Sequence, residues 1–136
     1  MVQIDVTYTA KLKCSAVHEP SGTTLITAAP KDNMGDGSSF SPTDLLATAL
    51  GTCMITTMGI FAMKNEIDLQ GTTVRVQKIM TATPTRRVAK LPVEITVVKY
   101  VAPEFRERLE NAAHTCPVAK TLSGETEIPV TFHWKD

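Results

Sequence analysis

Cysteines stand at positions 14, 53 and 116, and they are the residues of this chain best suited to covalent chemistry. Cys53 lies within SPTDLLATALGTCMITTMGIFAMKN, residues 41–65. Cys116 lies in HTCPVAKTLSG, residues 114–124. The two fall on different predicted elements, so they form no CxxC motif. Pro117 suits a first helical position, which makes Cys116 the expected cap of a short helix ending before Gly124. A thiolate there would be stabilised by free N–H groups and the helix dipole. Cys53 is mid-helix, where the dipole does little, and would need a cation or donors from elsewhere. Two readings stand side by side: a redox pair, or the small inert core residues that cysteines in apolar helices ordinarily are.

Other side chains carry weaker chemistry. Cys14 falls on the apolar face of the first predicted strand and reads as core. His114 precedes Cys116 by two positions, and H-x-C without two further ligands makes a poor metal site. His18 and His133 read as turn and strand-surface residues. Asp44 is accounted for as the acid of a helix start, with a catalytic role as the competing reading.

The helix that would carry Cys53 is the largest element in the sequence. Leu45 to Met63 contains no charged residue, and the whole stretch would form a helix roughly 30 Å long. Ser41 can cap it, Pro42 fits its first position, and Asp44 falls where a capping-box acceptor sits. Apolar or small residues occupy much of its circumference, so it is expected to be covered on most sides. Thr48, Thr52 and Thr56 recur every fourth residue, with Ala47, Ala49 and Gly51 nearby. Such a small-residue face predicts close helix-on-helix packing, across a two-fold axis.

Around this helix the pattern is that of strands. Residues 2–16 alternate, with Val2, Ile4, Val6, Tyr8, Ala10, Leu12 and Cys14 on one side, and predict a half-buried strand bent near Ala10–Lys11. Glu19–Gly22 is a turn and Thr23–Ala28 a returning strand. Residues 29–41 form a long Gly/Ser/Asp/Pro-rich loop of a kind that is often functional. Residues 72–81 and 89–101 predict two strands joined by a hairpin loop at Thr83–Arg87, with Leu91, Val93, Ile95 and Val97 on one face. Residues 103–114 predict an amphipathic helix burying Phe105, Leu109, Ala112 and Ala113, with a Glu104–Arg108 pair outside. Ile128–Trp134 predicts a last strand. The order β-β-β, long α, β-β, α, short α, β is that of an α+β domain with a mainly antiparallel sheet.

Size and charge narrow the function classes. At 136 residues a single domain, 1–136, is expected. Fourteen basic and fourteen acidic residues give zero net charge, and there is no basic block to hold nucleic acid. An odd number of cysteines fits a reducing compartment, hence the cytoplasm. The N-terminus alternates and lacks the apolar core of a signal peptide. The uncharged run approaches membrane-spanning length. Its four threonines, two glycines and poor flanks favour a buried helix in a soluble assembly.

SPTDLLATALGTC, followed by CPVAKTLS and a final strand, resembles the OsmC/Ohr family across nearly the whole chain. The resemblance implies an OsmC-like fold, its sheet wrapped around a long central helix, in an intertwined homodimer with two active sites at its interface. It implies a peroxiredoxin-type, thiol-dependent peroxidase acting in oxidative stress defence, with an organic hydroperoxide as substrate. Cys53 matches the peroxidatic thiol and Cys116 the resolving thiol of characterised members. No cofactor or metal is implied, only an external dithiol reductant. Characterised members use an arginine from the N-terminal half and a glutamate early in the long helix. Here no arginine precedes Arg75, and the cations before the helix are Lys11, Lys13 and Lys31. Lys31 is the candidate replacement, although an ammonium does not reproduce a guanidinium fork. Thr43 takes the glutamate's place, with Asp44 next to it, as in a less characterised OsmC-like branch. The alternative is a dimeric small-molecule-binding protein of the same family without turnover.

Overall fold

The computed structural model describes residues 1–136, which divide into two compact units, Met1–Leu46 and Ala47–Asp136. The first is a three-stranded antiparallel sheet and a loop. Its strands are β1 (Ile4–Ala10), β2 (Lys13–His18) and β3 (Thr24–Ala28), in that order across the sheet. The bend expected near Ala10–Lys11 is the tight turn between β1 and β2. Ala10, Lys11 and Leu12 all have positive φ there, and the register shifts between Tyr8 and Ala10. Positive φ at both central turn residues matches the right-handed twist of the flanking strands. The strand itself differs from expectation: every residue of β1 is exposed. Its alternation marks a face with no cover in the single chain, and Ile4, Val6 and Tyr8 each keep 60% or more of their surface open.

The 29–41 loop is held to the sheet at several points. It begins with a single 3-10 turn, Lys31–Asn33. Asp36 accepts an ion pair from Lys13 at 3.0 Å, and Ser39 Oγ donates to the Ile26 carbonyl at 2.9 Å. Hydrogen bonds from Ser38 and Lys13 hold the Asp36 carboxyl well below the usual range. Gly35 lies directly against the Ala29 carbonyl, where a Cβ would come within 1.8 Å of the oxygen.

Helix α1 (Pro42–Lys64) starts as the sequence predicts. The Ser41 N–H donates to Asp44 Oδ2 at 2.9 Å, and the Asp44 N–H donates to Ser41 Oγ at 3.1 Å. This reciprocal capping box satisfies two otherwise orphaned donors. Asp44→Ala should therefore lower stability by about 1 kcal/mol, read by chemical denaturation. A loss of activity well beyond that would give Asp44 a second role.

In the second unit, α1 buries Leu50, Met54, Met58 and Ala62, a stripe of fourth residues. Gly51 does not serve a second helix. A Cβ on it would lie 2.9 Å from Val76 Cγ2 and 3.4 Å from Val74 Cγ1, so the glycine lets a strand approach α1. Thr48, Thr52, Thr56 and Ile60 are exposed, so within the single chain the helix is covered along one stripe. Gly51→Ala should cost roughly 1–3 kcal/mol of overpacking, less up to about 1 kcal/mol of helix propensity, measurable by denaturant unfolding.

The strands of this unit are more broken than the alternation suggests. Residues 72–81 form β4 (Thr73–Val76) and β5 (Ile79–Thr81); residues 87–100 form β6 (Arg87–Lys90) and β7 (Val93–Tyr100). Pro92, which cannot donate to a ladder, sits at the second break. β5 and β6 make the expected antiparallel hairpin. β4, β7 and β8 (Val130–Lys135) form a sheet in that order, antiparallel at β4/β7 and parallel at β7/β8. The parallel pairing requires a crossover, which α2 (Pro103–His114) and α3 (Pro117–Leu122) provide.

Val93, Ile95 and Val97 are buried beneath the sheet, and Leu109 and Ala113 of α2 are fully enclosed. Arg108 lies over the Phe61 ring at 4.9 Å, tying α2 to α1 where the sequence suggested a pair with Glu104. Arg106 sits 5.7 Å from both the Tyr100 and Trp134 rings and donates to the Val101 and Lys135 carbonyls.

Candidate active site

The second unit brings Cys53 and Cys116 together. Cys53 projects from the middle of α1 and is half-buried. Cys116 is the N-cap of α3 and has no exposed surface. All three cysteines are free thiols, and Cys53 is near enough to Cys116 to perturb its ionisation.

Local sequence explains how each thiol is placed. The Leu50/Met54/Met58 stripe anchors α1 on the core, and Cys53 lies beside it. Cys116 follows Thr115, whose N–H closes α2 on the Ala112 carbonyl, and precedes Pro117, which starts α3. Its backbone N–H reaches the Ala113 carbonyl at 3.3 Å. The turn between the two helices thus points the Cys116 side chain inward.

The electrostatics of Cys116 differ from the sequence expectation. Its Sγ does accept the Ala119 N–H, at 3.3 Å, as a capping residue should. Burial nevertheless dominates and raises its pKa above that of an ordinary thiol, with the Cys53 side chain adding to the rise. A charge in a dry pocket costs more than one weak N–H···S bond returns. At neutral pH this residue is a protonated thiol.

The other candidates have partners of their own. Lys31 belongs to the 3-10 turn of the first unit, with its aliphatic chain packed against Gly37. Asp44 is engaged in the capping box. Cys14 is half-buried on β2, opposite Tyr8 and Thr27, rather than in a core. His18 bonds Ser21 Oγ at the β2–β3 turn, and His133 pairs with Glu94 at 2.8 Å on the sheet surface. His114 ends α2 with its ring edge-on to Phe132, 5.9 Å between centroids. It does not join Cys53 and Cys116 in a three-ligand metal group. With Met54, Lys120 and Ser123 it lines an open cleft of about 330 Å³ alongside α3. Its walls come from three separate segments, so no local pattern of residues marks it.

An α+β chain whose long helix carries one thiol against a second, helix-capping thiol is a dithiol protein of a definite architecture. Residues 35–132 match the family model described as OsmC-like protein, and the chain belongs to that family. It is 44% identical to a protein of Psychrobacter arcticus, provisionally described as an osmotic stress induced and detoxification response protein. That structure superposes with a TM-score of 0.92, over 98% of this chain and 96% of the other.

More distant structures share the fold. An organic hydroperoxide resistance protein OsmC of Legionella pneumophila is 16% identical with a TM-score of 0.78, covering 98% of this chain and 96% of that one. A Vibrio cholerae protein, provisionally of the same kind and with captopril in one of its active sites, is 18% identical with a TM-score of 0.75. It covers 96% of this chain and 90% of that one. A search of curated proteins found no match.

Proposed function

We propose that this protein is a thiol-dependent peroxidase that reduces organic hydroperoxides, working as a cytoplasmic homodimer in oxidative stress defence. The observation that carries this reading is the placing of a half-buried Cys53 on α1 near the buried, helix-capping Cys116. The names of the Legionella and Vibrio proteins point to the same class of substrate.

The chemistry balances with these two residues and two co-substrates. The Cys53 thiolate attacks one peroxide oxygen and the O–O bond breaks. The alkoxide leaves and takes a proton to become the alcohol. Cys53 is left as a sulfenic acid, oxidised by two electrons. Cys116 then attacks the Cys53 sulfur, releasing water and forming the disulfide. An external dithiol returns both residues to thiols by exchange and is itself oxidised. No metal or cofactor enters the scheme.

Two open faces support a homodimer. The exposed face of α1 carries Thr48, Thr52, Thr56 and Ile60. The Thr52 hydroxyl turns back to the Thr48 carbonyl at 2.9 Å, so the helix exposes its methyl group and presents an apolar surface. Strand β1 exposes Ile4, Val6 and Tyr8 at the edge of its sheet. Apolar faces of this kind are ordinarily covered by a partner, and a second copy is the commonest one.

The test is direct. Purified protein with a bulky alkyl hydroperoxide and a small dithiol should consume peroxide and release the alcohol catalytically, and should elute as a dimer. Consumption no faster than that of an unstructured thiol would sink the peroxidase reading and leave the family's ligand-binding alternative. Lys31→Met probes the remaining cation candidate in the same assay.

A further inference from the structure

We infer that forming the Cys53–Cys116 bond withdraws the cap of α3, so that residues 117–122 loosen in the oxidised protein. The inference rests on the redox reading of the thiol pair. It concerns what that pair does to the fold around it.

Helix α3 has six residues and none of them is buried. So short a helix does not sustain itself by its own hydrogen bonds. The side-chain bonds it makes are internal: Thr121 Oγ1 to the Pro117 carbonyl and Ser123 Oγ to the Lys120 carbonyl. Gly124, at φ +95°, ends it. Its N-terminal attachment is Cys116, whose Sγ takes the Ala119 N–H at 3.3 Å. One sulfur atom therefore has two tasks, capping α3 and meeting Cys53.

Oxidation sets these two tasks against each other. A hydroperoxide first converts Cys53 to the sulfenic acid. Cys116 S–H then displaces water, and the new S–S bond holds its sulfur about 2.05 Å from Cys53, with a torsion near 90°. The bond to Cys53, rather than the first turn of α3, then sets where that sulfur lies. The N–H of Ala119 loses its acceptor. Ala119, Lys120 and Ser123 border the open cleft that also contains Met54 and His114. Loosening α3 widens this cleft beside a sulfur that is otherwise enclosed, which gives an external dithiol a route to the disulfide.

Amide hydrogen exchange of the whole protein tests this, followed on the 117–123 segment with the disulfide verified by intact mass. Exchange at Ala119 to Leu122 should be roughly two- to tenfold faster in the oxidised protein, the range expected for losing one cap. Cys116→Ala should show the same acceleration without oxidant. Cys116→Ser, which keeps a capping hydroxyl, should keep the protection of the reduced protein under both conditions. A verified disulfide with unchanged exchange overturns the inference. Oxidation is performed both with an alkyl hydroperoxide and with a diazene oxidant, which removes two electrons and two protons from a thiol pair. A disulfide formed only by the diazene refutes the peroxidase reading while the exchange data still decide this one. No disulfide with either overturns both.

Discussion

Cys53→Ser is expected to abolish hydroperoxide turnover, with a loss on the order of a thousandfold or more. A hydroxyl occupies the same space but is a far weaker nucleophile than a thiol, and no base in contact with position 53 emerges from the site to activate it. The thiol contributes little to folding, because Cys53 is only half-buried and the stripe that anchors α1 is Leu50, Met54 and Met58. The variant should thus unfold within about 1 kcal/mol of the parent, since a near-isosteric change is well tolerated. Alcohol release in the presence of excess dithiol measures turnover, and denaturant unfolding measures the fold. Full activity in a folded Cys53→Ser protein would move the chemistry to another residue.

The features legible in the sequence were those decided by near neighbours. The capping box of Ser41 and Asp44 spans four residues, and its hydrogen bonds are local, so residue types alone marked the start of α1. The alternation of Leu91, Val93, Ile95 and Val97 survived into the structure because all four face one core. Cys116 as a cap followed from Pro117. Features decided by distant contacts stayed hidden. Gly51 looked like a helix-packing residue, but which element approaches it depends on Val74 and Val76, more than twenty positions away. Arg108 looked like a partner for Glu104 until α2 was set against Phe61. The parallel β7/β8 pairing depends on the path of two intervening helices. The interior alternation of β1 identified an apolar face correctly, yet that face has no cover within one chain.

The candidate site divides along the same line. Both cysteines were identified from sequence, but their proximity depends on where the α2–α3 turn is placed, far along the chain from Cys53. The sign of the Cys116 perturbation was also hidden. A helix start argues for a stabilised thiolate, whereas complete burial argues against it. Burial wins, because a weak N–H···S bond does not replace the hydration that a sulfur anion loses.

That sign governs the second large effect. Cys116→Ser should react with one hydroperoxide per subunit and then stall as the Cys53 sulfenic acid, which a sulfenic-acid-selective reagent will trap. Steady-state turnover at millimolar dithiol should fall roughly a hundredfold or more, because a juxtaposed thiol reacts at an effective concentration far above that of a free one. In the parent, disulfide formation draws on the small thiolate fraction of Cys116. Its pKa is raised, so the rate of this step should climb with pH through neutrality and keep climbing beyond the ordinary thiol value of about 8.5. The same shift has a thermodynamic face. The folded-state pKa lies above the unfolded one, so the buried protonated thiol contributes stability that is fully present below about pH 8.5 and is lost as pH rises through the folded value. Parent and Cys116→Ser stabilities should therefore draw apart in alkaline buffer, with only the parent carrying this loss. A disulfide-forming rate that levels off near neutral pH would show instead a Cys116 thiol ionised by its helix, and the order of the two steps would need to be redrawn.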